Sequence, residues 1–203
     1  TVYIIGAGVI GLCVVAALRA LKHTCRIVVL AKHSFQGELA TYFGADEVIN
    51  LTRDHTYIHQ AAKALNAKEL KPVYGHPVIQ GGANIVYECV GKKSSINDAL
   101  NFACGGGKVV LLGLASIIDG IDWTNVWLNE LDVKGSFAYS TGDFEGQKMR
   151  TLAIAIELMK RGEVDLSRMI THRFPLERFK DALVTATNKS NDAAIKVVFE
   201  HNL

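Results

Sequence analysis

The sequence has no apolar run approaching the roughly 20 residues needed to cross a bilayer, and no block of like charge. Lys and Arg total 22 and Asp and Glu 20, a formal net charge of +2. The basic stripe that tracks nucleic acid or anionic lipid is therefore missing, and neither nucleic acid nor a membrane is expected as a partner. Cysteine is scarce, four in 203 residues. Cys13, Cys25, Cys89 and Cys104 stand far apart, with no C-x-x-C pair to open a zinc site. Three of them have apolar neighbours and read as buried free thiols. A disulfide framework is not expected at this size and spacing, which points to a reducing, cytoplasmic compartment. No secretory leader is legible. The chain opens directly on Val2-Tyr3-Ile4-Ile5, an apolar strand without a lead-in, which fits a natural start or a truncated or cleaved fragment. Proline is also rare, three residues in all. Two of the three fall between Lys68 and Gly82, which predicts a surface loop there.

What is present is an alternation of short apolar runs with longer amphipathic segments, the pattern of βαβ units around a parallel sheet. Strands are predicted at Val2–Ile5, Arg26–Leu30, Glu47–Asn50, Ile85–Glu88, Lys108–Leu112 and Asp132–Phe137. Helices are predicted at Val9–Leu21, Gln36–Phe43 and Tyr57–Leu65. Another runs from a Ser94 or Ser95 cap to Ala103 and is stopped by Gly105-Gly106-Gly107. Beyond Phe137 the pattern changes. A long helix is predicted from about Asp143 to Arg161, a second from Pro175 in its first turn to about Ala186, and a last strand at Ala194–Glu200. The expected organisation is α/β: a doubly wound parallel sheet over residues 1–140 and a C-terminal α/β extension over residues 141–203.

Gly6-Ala7-Gly8-Val9-Ile10-Gly11 lies between the first strand and the first helix. In that context G-x-G-x-x-G is the fingerprint of a Rossmann dinucleotide turn. Gly6 permits the tight turn, Gly8 lets the backbone approach a pyrophosphate, and Gly11 lets the helix pack on the strand. The helix amino terminus offers unpaired N–H groups and a positive dipole end to the phosphates. Flavin nucleotides and S-adenosylmethionine use related turns, so the motif alone does not name the ligand. About 20 residues on, where an acid would bind the adenosine ribose of NAD, stand Ala31, Lys32 and His33. A small residue followed by a cation leaves room and charge for a 2′-phosphate, which favours NADP over NAD. A merely solvated turn is the plain alternative.

Taken together, several segments in order resemble the cofactor-binding half of the medium-chain, zinc-type alcohol dehydrogenase/reductase family. They are Gly6–Gly11, Phe43-Gly44-Ala45-Asp46, Gly82–Gly91, Gly106–Gly113, Leu131–Ser136, Thr171–Leu176 and Ile195–Val198. The resemblance implies an NADP- or NAD-dependent oxidoreductase acting on a small alcohol or carbonyl substrate. It implies that Val9 and Ile10 lie in the cofactor turn, and that Cys89, Val90 and Gly91 flank the cofactor riboses. Leu112, Gly113 and Leu114 would hold the nicotinamide carboxamide, with Ser136 and Ala138 opposite. Lys196 would return from the tail to the pyrophosphate. A homo-oligomer, a dimer paired along the Asp132–Phe137 edge, is implied as well.

The family's amino-terminal catalytic domain, which supplies its zinc ligands, finds no counterpart in these residues, so neither catalytic nor metal-binding residues are expected here. His55 and His59 are four apart without a third ligand nearby. The tail's apolar positions, Leu152, Ile156, Leu158 and Met159 with Leu176, Phe179 and Leu183, are then expected to be exposed, disordered or buried by self-association. Three functional classes follow. One is the cofactor-holding portion of a hydride-transfer enzyme. Another is a stand-alone nucleotide-binding module or sensor. A methyltransferase fits the first turn but not the tail.

Overall fold

The computed structural model describes residues 1–70 and 77–201. Six strands form one sheet: β1 (Val2–Ile5), β2 (Ile27–Ala31), β3 (Glu47–Asn50), β6 (Ala83–Glu88), β7 (Ala103–Leu111) and β8 (Asp132–Gly135). Their order is β3-β2-β1-β6-β7-β8 and every pairing is parallel. This is the doubly wound order in which the chain reverses its winding between β1 and the fourth strand, leaving a crevice at the carboxyl ends of those two strands. Helices α1 (Val9–Ala20), α2 (Ser34–Tyr42), α3 (Thr56–Ala64) and α4 (Lys93–Phe102) make the crossovers, with a short α5 (Thr124–Leu128) before β8.

The sheet is covered on both faces, so its central strand reads as a continuous apolar run rather than an alternation. Alternate side chains of β1 still divide the core. Val2 and Ile4 join α1, α2, Ile27 and Val29 on one face. Tyr3 and Ile5 join Val28, Leu30 and the α3 and α4 residues on the other. Phe102 and Tyr3 meet edge to face, their centroids 5.4 Å apart, both without solvent exposure. Burying the Phe102 side chain contributes about 1.5–3 kcal/mol by removing it from water.

At the amino ends of the strands one guanidinium ties two loops together. Arg19, in the last turn of α1, donates to the carbonyls of Gly44, His23 and Cys25 and pairs with Asp46 at 2.7 Å. Asp46 in turn accepts the N–H of Ile27. The Phe43–Asp46 segment is thus a fastener between the α1–β2 and α2–β3 connections.

The structure differs from the sequence-based expectation at several places. The predicted loop from Lys68 to Gly82 contains an antiparallel pair, β4 (Lys68–Leu70) and β5 (Val78–Gln80); its residues 71–76 lie outside the described residues. Asn101 on α4 anchors this pair, donating to the Pro77 carbonyl and accepting from the Ile79 N–H. Ser94 does not cap α4, and Ser95 acts from inside it. The helix begins after Lys92, whose N–H donates to Ser95 Oγ at 3.1 Å. The glycine triplet is not a helix stop either. The helix passes straight into β7 at Ala103, and the triplet lies within that strand at a break in its register with β6, with Gly106 left-handed.

The long helix predicted from Asp143 is shorter. Residues Thr141–Phe144 (β9) and Gln147–Arg150 (β10) form a hairpin, and α6 spans only Thr151–Lys160. Glu145 and Gly146, at φ +51° and +78°, make the two-residue left-handed turn whose twist suits a hairpin. Pro175 does not sit inside a helix but precedes a 3₁₀ turn (Leu176–Arg178), after which α7 runs Phe179–Thr187. The last strand, β12 (Lys196–Phe199), pairs in parallel with β11 (Ile170–Phe174), after the four-residue α8 (Lys189–Asp192).

The tail is not separate from the sheet. Met169 and Ile195 enter the α1 face of the core, with Val164 and Leu166 packed against it. Leu152, Ile156, Met159, Leu176, Phe179 and Leu183 are exposed, whereas Leu158 is buried. The four cysteines are free and half-buried rather than fully buried. No described helix is long and apolar enough to cross a membrane.

Candidate functional site

Three turns meet at the carboxyl edge of the sheet: Gly6–Gly11 after β1, Cys89–Gly91 after β6, and Leu112–Leu114 after β7. Gly6 is left-handed at φ +97° and its N–H donates to Leu30 O at 2.9 Å, which fixes the turn to β2. A Cβ on Gly11 would stand 1.8 Å from the Gly6 carbonyl oxygen, so the start of α1 sits directly on the turn. A Cβ on Gly6 would stand 2.5 Å from Val90 Cγ2, one on Gly91 2.9 Å from Leu114 N, and one on Gly113 2.2 Å from Gly91 N. Gly8 is the contrast: nothing lies within 4 Å of where its Cβ would be.

Gly8 is also the N-cap of α1, in extended conformation, with no side-chain cap and no acid in the first turn. The amino terminus of α1 therefore opens to free space at Gly8, with the positive end of the helix dipole behind it, the arrangement that binds phosphates. Ile10, half exposed, flanks the opening, and Val9 lines a groove of about 530 Å³ with Cys13, Leu166, Met169 and Lys196. Burial raises the Cys13 thiol above its ordinary value, and the Lys196 ammonium opposes that shift. The tail thus brings a cation to the second turn of α1.

Ala31 closes β2, fully buried, and a Cβ on Gly37 of α2 would stand 3.9 Å from its own Cβ. Lys32 is exposed, and the His33 ring stacks on Phe35 with centroids 5.4 Å apart. His33 is the N-cap of α2, another first turn without an acid. Ser136 lies just beyond β8, its N–H reaching Leu111 O at 3.1 Å, and Ala138 is exposed two residues further on. Cys89 is half-buried, and its thiol is pushed up to about 12 by desolvation and by Glu88. Among the described residues no three of His, Cys, Asp and Glu converge as a metal site.

One member of this edge was not singled out from the sequence. Glu88, the last residue of β6, has no solvent exposure. Its Oε1 accepts the N–H groups of Val90 and Gly91, both at 2.8 Å. Its only sequence signal is a lone charge closing an otherwise apolar strand.

Strand order and glycine turn together define a Rossmann-type dinucleotide-binding fold. The family model for zinc-binding dehydrogenases matches residues 9–153, and the chain belongs to that family. It is 29% identical over 204 residues to sorbitol dehydrogenase of Arabidopsis thaliana, with 98% of this chain and 49% of the relative aligned. A zinc-binding dehydrogenase from Sinorhizobium meliloti, solved bound to NADP, superposes with a TM-score of 0.71 at 26% identity, covering 99% of this chain and 52% of that one. An Escherichia coli alcohol dehydrogenase complexed with NADH superposes with a TM-score of 0.75 at 20% identity, over 99% and 52% of the two chains. The chain spans about half the length of the curated relatives it matches.

Proposed function

We propose that this chain is the nicotinamide-dinucleotide-binding portion of an alcohol or polyol dehydrogenase, with residues 1–140 holding the cofactor and residues 141–203 closing over its pyrophosphate side. The observation that carries the reading is the open approach to Gly8 and the first amides of α1, in an edge where Gly6, Gly11, Gly91 and Gly113 are all closely packed. The glycine turn binds the pyrophosphate, with Lys196 adding a cation from the tail. Lys32 and His33, beyond the buried Ala31, receive the adenosine ribose, and the missing acid favours NADP. Val90 and Gly91 flank the riboses. Backbone groups of Leu112–Leu114, with Ser136 and Ala138 opposite, orient the carboxamide and so choose the ring face presented. Bound there, the nicotinamide exchanges a hydride at C4 with an alcohol or carbonyl carbon. No zinc donor set converges among the described residues, so no step through a metal is derived for this chain.

The supporting relatives include dehydrogenases solved with NADH and with NADP, so cofactor choice is the point to test. Calorimetric titration with NAD and NADP separately should show binding of both, with NADP tighter. Equal affinities or tighter NAD would overturn the reading of Ala31–His33, and binding of neither would overturn the dinucleotide assignment. β8 is an edge strand with Asp132, Lys134 and Gly135 exposed, which supports pairing of two copies along it. Light scattering should then give a dimer, and a clean monomer would refute that pairing.

A further inference from the structure

Glu88 joins two of the three turns, and the joining is divided between its side chain and its backbone. Through Oε1 it holds the N–H groups of Val90 and Gly91. Through its carbonyl oxygen it holds those of Leu112 and Gly113, at 2.8 and 2.9 Å. The turn after β6 in turn touches the first turn, since Val90 Cγ2 fills the space a Gly6 side chain would need. Two successive amides converging on one oxygen form a small anion-binding nest, and here the chain's own carboxylate occupies it. Oε2 is buried with no hydrogen-bond partner among the described residues, 2.6 Å from where a Gly113 Cβ would stand. A buried carboxyl group with one oxygen unsatisfied is a poor device for stability, because a neutral isostere avoids the desolvation cost.

We propose that Glu88 is a positioning residue for the cofactor crevice. It sets the position of Val90 and Gly91 relative to the glycine turn. It also keeps their amides from competing with the first turn of α1 for the pyrophosphate. The inference rests on the dinucleotide reading above and names a residue that reading does not use.

The test compares the full chain with Glu88→Gln, Glu88→Asp and Glu88→Ala, measuring NADP affinity by calorimetry and stability by urea unfolding. Glu88→Gln keeps one acceptor oxygen but loses the charge that shortens and strengthens such bonds. It should fold with an unfolding midpoint equal to or above wild type, yet bind NADP five- to twentyfold more weakly. Glu88→Asp, one methylene short of both amides, should not restore binding. Inorganic phosphate at millimolar concentration should compete with NADP more effectively in Glu88→Ala, where the nest is vacated. If Glu88→Ala does not fold, the Gln and Asp variants decide alone. A Glu88→Gln chain that loses stability while binding NADP within twofold of wild type would make the residue merely structural and overturn the proposal. Binding of neither dinucleotide by the wild-type chain would overturn the dinucleotide reading and this inference together.

Discussion

Replacing Gly8 by alanine adds one methyl group at the mouth of the crevice, and replacing Gly11 adds the same group three residues on. The surroundings make these two changes opposite in effect. At Gly8 the backbone lies at φ −78° and ψ −171°, a conformation alanine adopts freely, and the new methyl meets nothing within 4 Å. Alanine is a poorer N-cap than glycine by a fraction of a kcal/mol to about 1 kcal/mol. Its lower unfolded-state entropy returns about 0.4–1 kcal/mol. The two nearly cancel, so the melting temperature should move by no more than about 4 °C, at about 2–4 °C per kcal/mol for a chain of this size. Binding should change far more. A methyl group standing where the pyrophosphate approaches forfeits at least one charge-assisted hydrogen bond, about 1.5–3 kcal/mol, or a tenfold or greater loss of NADP affinity.

At Gly11 the methyl would lie 1.8 Å from a backbone oxygen, and the helix must move by more than an ångström to relieve it. Overpacking of that kind costs about 3 kcal/mol or more, lowering the melting temperature by roughly 6–12 °C. Thermal unfolding followed by circular dichroism, with calorimetric titration of the folded variants, reads both quantities. NADP binding by Gly8→Ala within twofold of wild type would refute the assignment of the turn. A Gly11→Ala chain as stable as Gly8→Ala would refute the packing argument.

Three further outcomes are expected. Gly113→Ala places a methyl 2.2 Å from Gly91 N and 2.6 Å from Glu88 Oε2, so it should destabilise by about 1–3 kcal/mol in urea unfolding; an unchanged midpoint would contradict the contact between the two turns. Phe102→Ala empties a site with no exposure and removes the edge contact with Tyr3, and should cost about 3–5 kcal/mol, a loss under 1 kcal/mol refuting it. The third concerns pH. Burial holds the Cys89 thiol at about 12 in the folded chain, and burial with Asp98 raises Tyr57. Both keep their protons in the folded state at pH values where the unfolded chain releases them. Their contribution is therefore whole below about pH 9 and is lost as pH rises toward 12, by up to about 1.4 kcal/mol per pH unit for each group. A urea midpoint that stays level between pH 8 and 10.5 would refute this, as would rapid thiol labelling of Cys89 in the folded chain at pH 8.

The sheet and its first turn were legible because their signals are local. Val2–Ile5 is apolar throughout, the glycines follow at once, and a helical period begins at Val9. Apart from β7, which starts five residues before the predicted Lys108, strand starts slipped by no more than two residues, as at Arg26 against Ile27, because neighbouring residues compete for the ladder and only packing decides. The hairpin at Thr141–Arg150 was hidden for a different reason. Its turn rests on Glu145 in left-handed conformation, a residue type that seldom announces such a turn. The glycine triplet misled because glycine serves a helix end and a strand irregularity equally well, and only pairing with β6 separates the two. Glu88 illustrates what no local signal carries. Its side-chain partners are two and three residues away, but the backbone it also holds, at Leu112 and Gly113, belongs to a turn more than twenty residues on. Its importance exists only after the sheet has formed.

Arg19 and the Phe43–Asp46 fastener lie at the opposite end of the strands from the glycine turn. The molecule therefore has two poles with different duties, one closing loops by hydrogen bonds to carbonyls and one left open. Substitutions at the fastened pole should be felt as melting temperature; at the other pole the closely packed Gly11 and Gly113 should answer in stability and the open Gly8 in affinity, with little traffic between the poles because distant sites add independently. On the proposed reading, the exposed Lys32 and half-buried His33 can be re-tuned for a new cofactor without reopening the question of whether the scaffold folds, whereas Ala31 belongs to the core.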